Sequence, residues 1–253
     1  MPTTQLLRTK PESFTQRLDP KRRRRLSTES IHAGTSQVAR TPLRSLPHAS
    51  LHGFRGNVKR MLDILGAGLG LVMIGPLFLL IALLLKLDSP GPIFFKQKRV
   101  GLDGREFWMY KFRSMVVDAE ARLDSLKALN EVEGGVTFKI AQDPRVTRVG
   151  RILRKTSLDE FPQLFNVLRG EMSLVGPRPP LPKEVVKYTS DQRRRLTVTP
   201  GCTGLWQVSG RSKTTFQRMI ELDLDYIENW SLRRDFTIVL KTVGVVLRME
   251  GSY

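Results

Sequence analysis

Residues 64–85 form a run of 22 residues without a single charge, closed by Asp63 before it and Lys86 after it. As a helix rising 1.5 Å per residue, such a run reaches about 33 Å, enough to cross the hydrocarbon core of a bilayer. Gly75 and Pro76 stand at its middle. An interior proline removes one backbone hydrogen bond and crowds the preceding turn, so a kink or break is expected there. Each half is then too short to span alone. Lys59 and Arg60 precede the run, and Lys86, Lys96, Lys98 and Arg99 follow it. Basic residues favour the cytoplasmic side of a membrane. A segment that enters, breaks and returns satisfies both flanks, whereas a straight span satisfies one. The expectation is a re-entrant helix-break-helix membrane hairpin over 58–87, with a full span as the alternative. A buried helix of a soluble core is disfavoured by the length of the run.

The charge balance narrows the partners. Lys and Arg number 42 against 24 acidic residues, a net charge of +18, which calls for nucleic acid, anionic lipid or a phosphorylated substrate. Residues 1–57 hold 11 basic residues against Glu12, Asp19 and Glu29. Rich in Ser, Thr, Pro and Arg and without periodicity, they read as a mostly disordered basic arm. Its run of Lys21 and Arg22 to Arg25 suits an anionic membrane surface, or is a solvated tail. Cys202 is the single cysteine, so neither an internal disulfide nor a thiolate zinc cluster can form. His32, His48 and His52 all lie in the arm. Any chemistry in the remaining two hundred or so residues runs without histidine, which excludes Ser-His-Asp triads and His-rich metal sites there.

Residues 88–253 read as a compact soluble domain. Pro90-Gly91-Pro92 is a turn, 93–100 an apolar-rich strand, and Gly101-Leu102-Asp103-Gly104 a hairpin loop. The returning strand, 105–115, alternates, with Phe107, Met109, Lys111 and Arg113 on one face. Two bases there suggest an anion site at a sheet edge, or a solvated edge. A helix is expected over 116–129. The fold class is α+β: a mostly helical domain with a small β-hairpin, anchored by the membrane hairpin.

Arg145, Arg148, Arg151, Arg154 and Lys155 concentrate positive charge directly before Thr156-Ser157-Leu158-Asp159-Glu160. Ser157 and Glu160 have the spacing of a capping box at a helix start, with Asp159 in the first turn. Pro162 complicates that register: either the cap moves to Asp159 or the first turn is distorted. The same residues admit chemistry. A helix start beside arginines binds phosphate, and without histidine an aspartate is a suitable nucleophile for a phosphorus centre. A neighbouring glutamate suits Mg²⁺, a hard cation that prefers carboxylate and phosphate oxygens. Farther on, Pro177-Arg178-Pro179-Pro180 presents one guanidinium from a stiff backbone.

These segments, with others, carry a resemblance. In order they are Lys59-Arg60 with Asp63, the Pro76-centred apolar run, Asp88-Ser89-Pro90-Gly91-Pro92 and Tyr110-Lys111-Phe112-Arg113-Ser114-Met115. Then come Ser157-Leu158-Asp159-Glu160, Pro162-Gln163-Leu164-Phe165-Asn166-Val167-Leu168 and Met172-Ser173-Leu174-Val175-Gly176-Pro177-Arg178-Pro179. Thr203-Gly204-Leu205-Trp206-Gln207-Val208-Ser209-Gly210-Arg211 and Asn229-Trp230-Ser231-Leu232 complete the set. From about Val58 onward the chain resembles the bacterial sugar transferases, monotopic phosphoglycosyl transferases that start glycan assembly on a polyprenyl phosphate. Where many relatives have serine before the helix-breaking proline, this chain has Gly75, and without the upstream membrane domain of larger relatives it resembles the minimal catalytic form.

The resemblance implies a reaction. A UDP-sugar gives its sugar phosphate to an enzyme aspartate, UMP leaves, and undecaprenyl phosphate takes the sugar phosphate. It implies Asp159 as nucleophile, Glu160 as the Mg²⁺ partner, and Lys111, Arg113, Arg154 and Arg178 as phosphate contacts. Trp206, Gln207 and Arg211 are assigned to the nucleotide, with core packing the other role open to Trp206. Expected partners are the donor, the lipid acceptor and anionic lipids, with no nucleic acid. The expected place is the bacterial inner membrane, with the catalytic domain on its cytoplasmic face. Glucose or galactose is favoured by likeness to exopolysaccharide-type members. The alternative class is a non-catalytic basic adaptor that binds anionic lipid or nucleic acid at the membrane surface.

Overall fold

A computed structural model describes residues 53–126, 140, 142–210 and 214–249. The basic arm before Gly53, Arg211 and the last four residues lie outside the described residues. The architecture is mostly helical with two small sheets, as the α+β reading required.

Helix α1, Phe54–Asp88, carries the apolar run. It is the one helix among the described residues long and apolar enough to cross a membrane. The expected break at Gly75 and Pro76 is not a break in the helix: helical backbone passes through both. A proline deletes only its own N–H bond, and the intact turns on each side carry the helix across that gap. Along one face, Ala67, Ile81 and Leu85 are buried against the domain. The other face leaves Phe54, Leu65, Leu69, Val72, Met73, Leu79, Leu83 and Leu87 exposed.

Both ends of α1 are fastened to the same domain. Near its start, Lys59 Nζ donates to Asp235 Oδ2 at 2.7 Å and Arg60 Nη1 to the Val167 carbonyl at 2.6 Å. Asp63 Oδ1 accepts from the Leu174 amide at 3.0 Å. At its far end, Asp88 Oδ2 accepts from the Val149 amide at 3.1 Å. The flanking charges that read as membrane-side markers thus also serve as docking groups within the protein.

Strands β1, Phe94–Val100, and β2, Glu106–Phe112, form the expected antiparallel hairpin, with Phe94 opposite Phe112 and Val100 opposite Glu106. Its loop turns through left-handed backbone at Asp103 and Gly104. Phe112 is buried and meets Phe78 of α1 edge-on, ring centroids 4.8 Å apart. The helix expected over 116–129 shrinks to Leu123–Leu126 among the described residues. Its intended start is held elsewhere, because the Val116 amide bonds the Arg145 carbonyl at 2.9 Å.

Helix α2, Arg148–Thr156, is capped by Thr147, whose hydroxyl accepts from the Gly150 amide. Gly150 lies against the backbone of Ser114, where a Cβ would come within 2.0 Å of the Ser114 carbonyl oxygen. Helix α3, Gln163–Arg169, is stitched to β2 by the buried Asn166. Its side chain accepts from the Tyr110 amide at 3.1 Å and donates to the Trp108 carbonyl at 2.7 Å. One side chain here replaces a missing strand partner. Strands β3, Ser173–Val175, and β4, Gly201–Thr203, pair in parallel. They pack under α4, Phe216–Glu228, and α5, Leu232–Leu247, around Val175, Tyr226, Ile227, Trp230 and Ile238.

Candidate active site

Asp159 and Glu160 lie in a single 3-10 turn, Leu158–Glu160, between α2 and α3. The capping box expected of Ser157 and Glu160 does not form. Ser157 instead closes α2 with left-handed backbone, φ 57° and ψ 17°, and its side chain caps nothing. Pro162 gives the reason. It occupies the position just before α3, where its missing N–H costs no helical bond. Leu158–Glu160 is left as a separate tight turn.

The turn buries Asp159 to 7% exposure and leaves Glu160 partly exposed. Glu160 Oε1 accepts from Lys111 Nζ at 2.6 Å. Burial pushes the Asp159 carboxyl up to about 6, with Lys111 and Arg154 pulling it down and the charge of Glu160 pushing it further up. Burial acts on Glu160 in the same sense, but Lys111, Arg99 and Arg178 outweigh it and hold that carboxyl below its ordinary range. Two adjacent carboxyls are therefore set apart: Glu160 stays charged to lower pH, while Asp159 holds its proton to higher pH.

Arg178 is held by a locked loop. Four successive carbonyls each find a donor: Pro177 from the Gly201 amide at 2.9 Å, Arg178 from Arg195 Nη2 at 3.2 Å, Pro179 from Arg99 Nη1 at 2.9 Å, and Pro180 from the Val100 amide at 2.9 Å. Three of those residues are prolines with no N–H to give, so the loop is fixed through its acceptors. Arg195 is in turn fixed by Asp223 at 2.8 Å and by the Tyr188 hydroxyl at 2.9 Å. Gly201 cannot change here, since a Cβ would lie 2.0 Å from the Gly176 nitrogen. The Arg178 guanidinium reaches Glu184 Oε2 at 3.3 Å.

Of the expected site residues, Asp159, Glu160, Lys111, Arg154 and Arg178 converge, each acting on one or both carboxyls. Arg113 does not join them. Its guanidinium is buried on the carbonyls of Leu85, Ser89 and Pro90 at 3.2, 2.7 and 2.8 Å. It closes the C-terminus of α1, where carbonyls lack helical partners and a cation complements the dipole. Trp206 and Gln207 follow β4, and Gln207 Nε2 donates to the Cys202 carbonyl at 3.3 Å. Trp206 Nε1 and Gln207 Oε1 are buried with no hydrogen-bond partner among the described residues. An open donor and an open acceptor on consecutive residues suit a polar ligand. Arg211 lies outside the described residues.

Sequence reasoning missed Arg99 and Glu184 as members of this cluster. Arg99 read as a membrane-flanking charge; its signal is its place in the strand, opposite the buried Phe107 of the returning strand.

A family model for bacterial sugar transferases matches residues 54–249. The chain belongs to the bacterial sugar transferase family. Among its relatives, the galactosyl transferase CpsE of Streptococcus agalactiae is 49% identical over 195 residues, covering 77% of this chain and 43% of that protein. The exopolysaccharide production protein ExoY of Rhizobium meliloti is 43% identical over 201 residues, covering 78% of this chain and 89% of its own. A UDP-glucose:undecaprenyl-phosphate glucose-1-phosphate transferase of Caulobacter vibrioides is 44% identical, with 77% and 72% covered. The chain thus spans less than half the length of CpsE and most of ExoY. Within this sugar transferase domain, the carboxyl pair, Lys111, Arg154 and the Arg178 loop all fall inside the matched span.

Proposed function

We propose that this sugar transferase moves a sugar 1-phosphate from a UDP-sugar to undecaprenyl phosphate and releases UMP, as the first membrane step of exopolysaccharide or related glycan assembly. Glucose and galactose are the favoured sugars, as the names of its relatives suggest. The observation that carries the reading is Asp159: a buried carboxyl beside a charged glutamate, with Lys111 and Arg154 acting on it and no histidine in the domain.

In the first step an Asp159 carboxylate oxygen attacks the sugar-linked phosphorus. An aspartyl–phosphorus bond forms, and the bond from that phosphorus to the bridging oxygen breaks, so UMP leaves with the oxygen and its charge. In the second step an oxygen of undecaprenyl phosphate attacks the same phosphorus and returns the carboxylate. Neither step requires a protein acid. Lys111, Arg154 and Arg178 stabilise charge that builds on phosphate oxygens, and the buried turn keeps water from the acyl phosphate.

Mg²⁺ takes few protein ligands and shares substrate phosphate oxygens. Among the described residues no group of three potential metal ligands occurs, but a two-carboxyl turn beside a diphosphate suffices. Glu160, with one oxygen on Lys111 and the other available, would hold the ion against the donor, where it neutralises diphosphate charge.

We place the chain at the bacterial inner membrane on its cytoplasmic face. The exposed apolar face of α1 meets lipid, and both ends of α1 remain on the domain side, since both are fastened to that domain. Arm residues and anionic lipids add attraction. Incubation with radiolabelled UDP-sugars, Mg²⁺ and undecaprenyl phosphate tests the reaction. Label entering lipid with the wild-type chain but not with Asp159→Asn supports it, and trapping of labelled protein without acceptor supports the covalent step. No transfer from any sugar by a folded, membrane-bound sample overturns it.

A further inference from the structure

Arg99 is a buried cation without a carboxylate of its own. It is 7% exposed, and its hydrogen bonds go to neutral acceptors: Gln97 Oε1, at 3.1 Å from Nε and 2.6 Å from Nη2, and the Pro179 carbonyl. Those three contacts leave two of its five N–H groups open. The nearby cations are matched differently. Arg195 is paired with Asp223, and Arg178 shares Glu184 at 3.3 Å. Burial, and after it the charge of Arg178, lowers the Arg99 guanidinium to about 9. Arg99 hydrogen-bonds neither Glu184 nor Glu160, the two carboxylates whose charge it feels, so its own charge is left without a hydrogen-bonded anion. Burying a charge without a partner costs several kcal/mol, and a fold retains such an excess where a ligand supplies the missing anion.

We propose that Arg99, held against the loop that carries Arg178, joins Arg178 in binding a substrate phosphate of the candidate active site. The proposal rests on the transfer reaction above for the identity of the substrate, and on the unpaired guanidinium for the site itself. A guanidinium fork suits phosphate oxygens in a way an ammonium does not. The phosphate belongs either to the nucleotide of the donor or to the lipid acceptor, and kinetics tell these apart.

The test compares full-length wild type, Arg99→Gln, Arg99→Lys and the exposed-strand control Lys98→Gln. Lost charge-assisted hydrogen bonds of this kind correspond to roughly 10- to 100-fold in binding. Arg99→Gln is expected to raise the KM for the UDP-sugar by that factor with a smaller change in kcat, and Arg99→Lys to recover part of it. A rise in the KM for undecaprenyl phosphate instead assigns the same subsite to the acceptor. Unchanged KM for both substrates overturns the proposal, as does a fall in kcat alone accompanied by a lower melting temperature, which marks Arg99 as a brace for the Pro179 loop. Titration with inorganic pyrophosphate reads the subsite without turnover. Weaker binding in Arg99→Gln than in Lys98→Gln supports it even where no sugar is transferred, and equal binding sinks it while leaving the transfer reaction standing.

Discussion

Lys111 Nζ lies 2.6 Å from Glu160 Oε1, and through that contact a strand cation decides which of two adjacent carboxyls is ionised. β2 delivers Lys111 and the turn ahead of α3 delivers Glu160; Asn166 of α3 ties the two elements together by bonding Tyr110 and Trp108. Glu160 gains the hydrogen bond, while Asp159, more deeply buried, feels Lys111 only through its field. The carboxyl that keeps its proton longer is the one with no hydrogen-bonded cation to stabilise its charge.

A pH dependence follows. A carboxylate nucleophile must be ionised, so UMP release should fall as pH drops through about 6, the range to which burial pushes Asp159, and by roughly tenfold per unit below it. Lys111 holds that value down, so Lys111→Met should move the acid limb to higher pH and lower kcat/KM by roughly 100-fold. Profiles of kcat/KM between about pH 5 and 8 check this. A wild-type profile flat to pH 5, with the UDP-sugar still consumed, counts against Asp159 as the attacking group.

The same burial makes the wild type less stable than it could be. A group whose pKa is raised by folding contributes stability at low pH that is lost as pH rises through the folded value. Asp159→Asn should therefore abolish transfer yet raise the melting temperature at neutral pH, by on the order of 2–3 kcal/mol of stability. The difference should shrink below pH 6 and vanish only below about pH 3, where the carboxyl is protonated in the folded and unfolded states alike. Thermal melts at three pH values decide it; an equally destabilised Asn variant at all of them contradicts the assignment.

Much of this was legible in the sequence, and the failures share a cause. The hairpin could be read because strand alternation and a Gly-Leu-Asp-Gly loop are local signals, and α1 because an uncharged run of 22 residues is too. Asp159, Glu160, Lys111, Arg154 and Arg178 emerged from charge context and motif order. Arg113 was misplaced because strand alternation reports which face a side chain takes, not that a helix end with open carbonyls lies on that face. Ser157 was misread because its spacing to Glu160 fits a cap, whereas its left-handed backbone depends on α2 ending there. Arg99 stayed hidden because its partners, Pro179 and Arg178, are some eighty residues away.

Asp235 joins three separate groups and should be costly to remove. Lys59 Nζ, the Tyr226 hydroxyl and Trp230 Nε1 all donate to it, at 2.7, 2.7 and 3.1 Å. Asp235→Ala strips a mostly buried ammonium of its nearest carboxylate and leaves the buried Trp230 N–H without its acceptor, an expected loss of roughly 3–5 kcal/mol. Lys59→Met in the same chain should restore part of that, because the uncompensated charge goes with it. Denaturation in detergent micelles measures the cycle. Strict additivity of the two substitutions excludes the coupling.

Topology is open to a direct test, because α1 would extend about 52 Å if straight and yet both its ends are held by one domain. Lys59 and Arg60 bond groups on α5 and α3, while Arg113 and the Val149 amide hold the other end. A chain that crossed the bilayer once would have to break one of those sets, giving up several charge-assisted hydrogen bonds at about 1.5–3 kcal/mol each. Arg55→Cys and Lys86→Cys, each in a Cys202→Ser background, place single thiols at exposed positions near the two ends. A membrane-impermeant maleimide should label both in inside-out vesicles and neither in intact cells. Labelling of one from each side would show a spanning helix and would require the contacts at one end of α1 to be absent in the membrane.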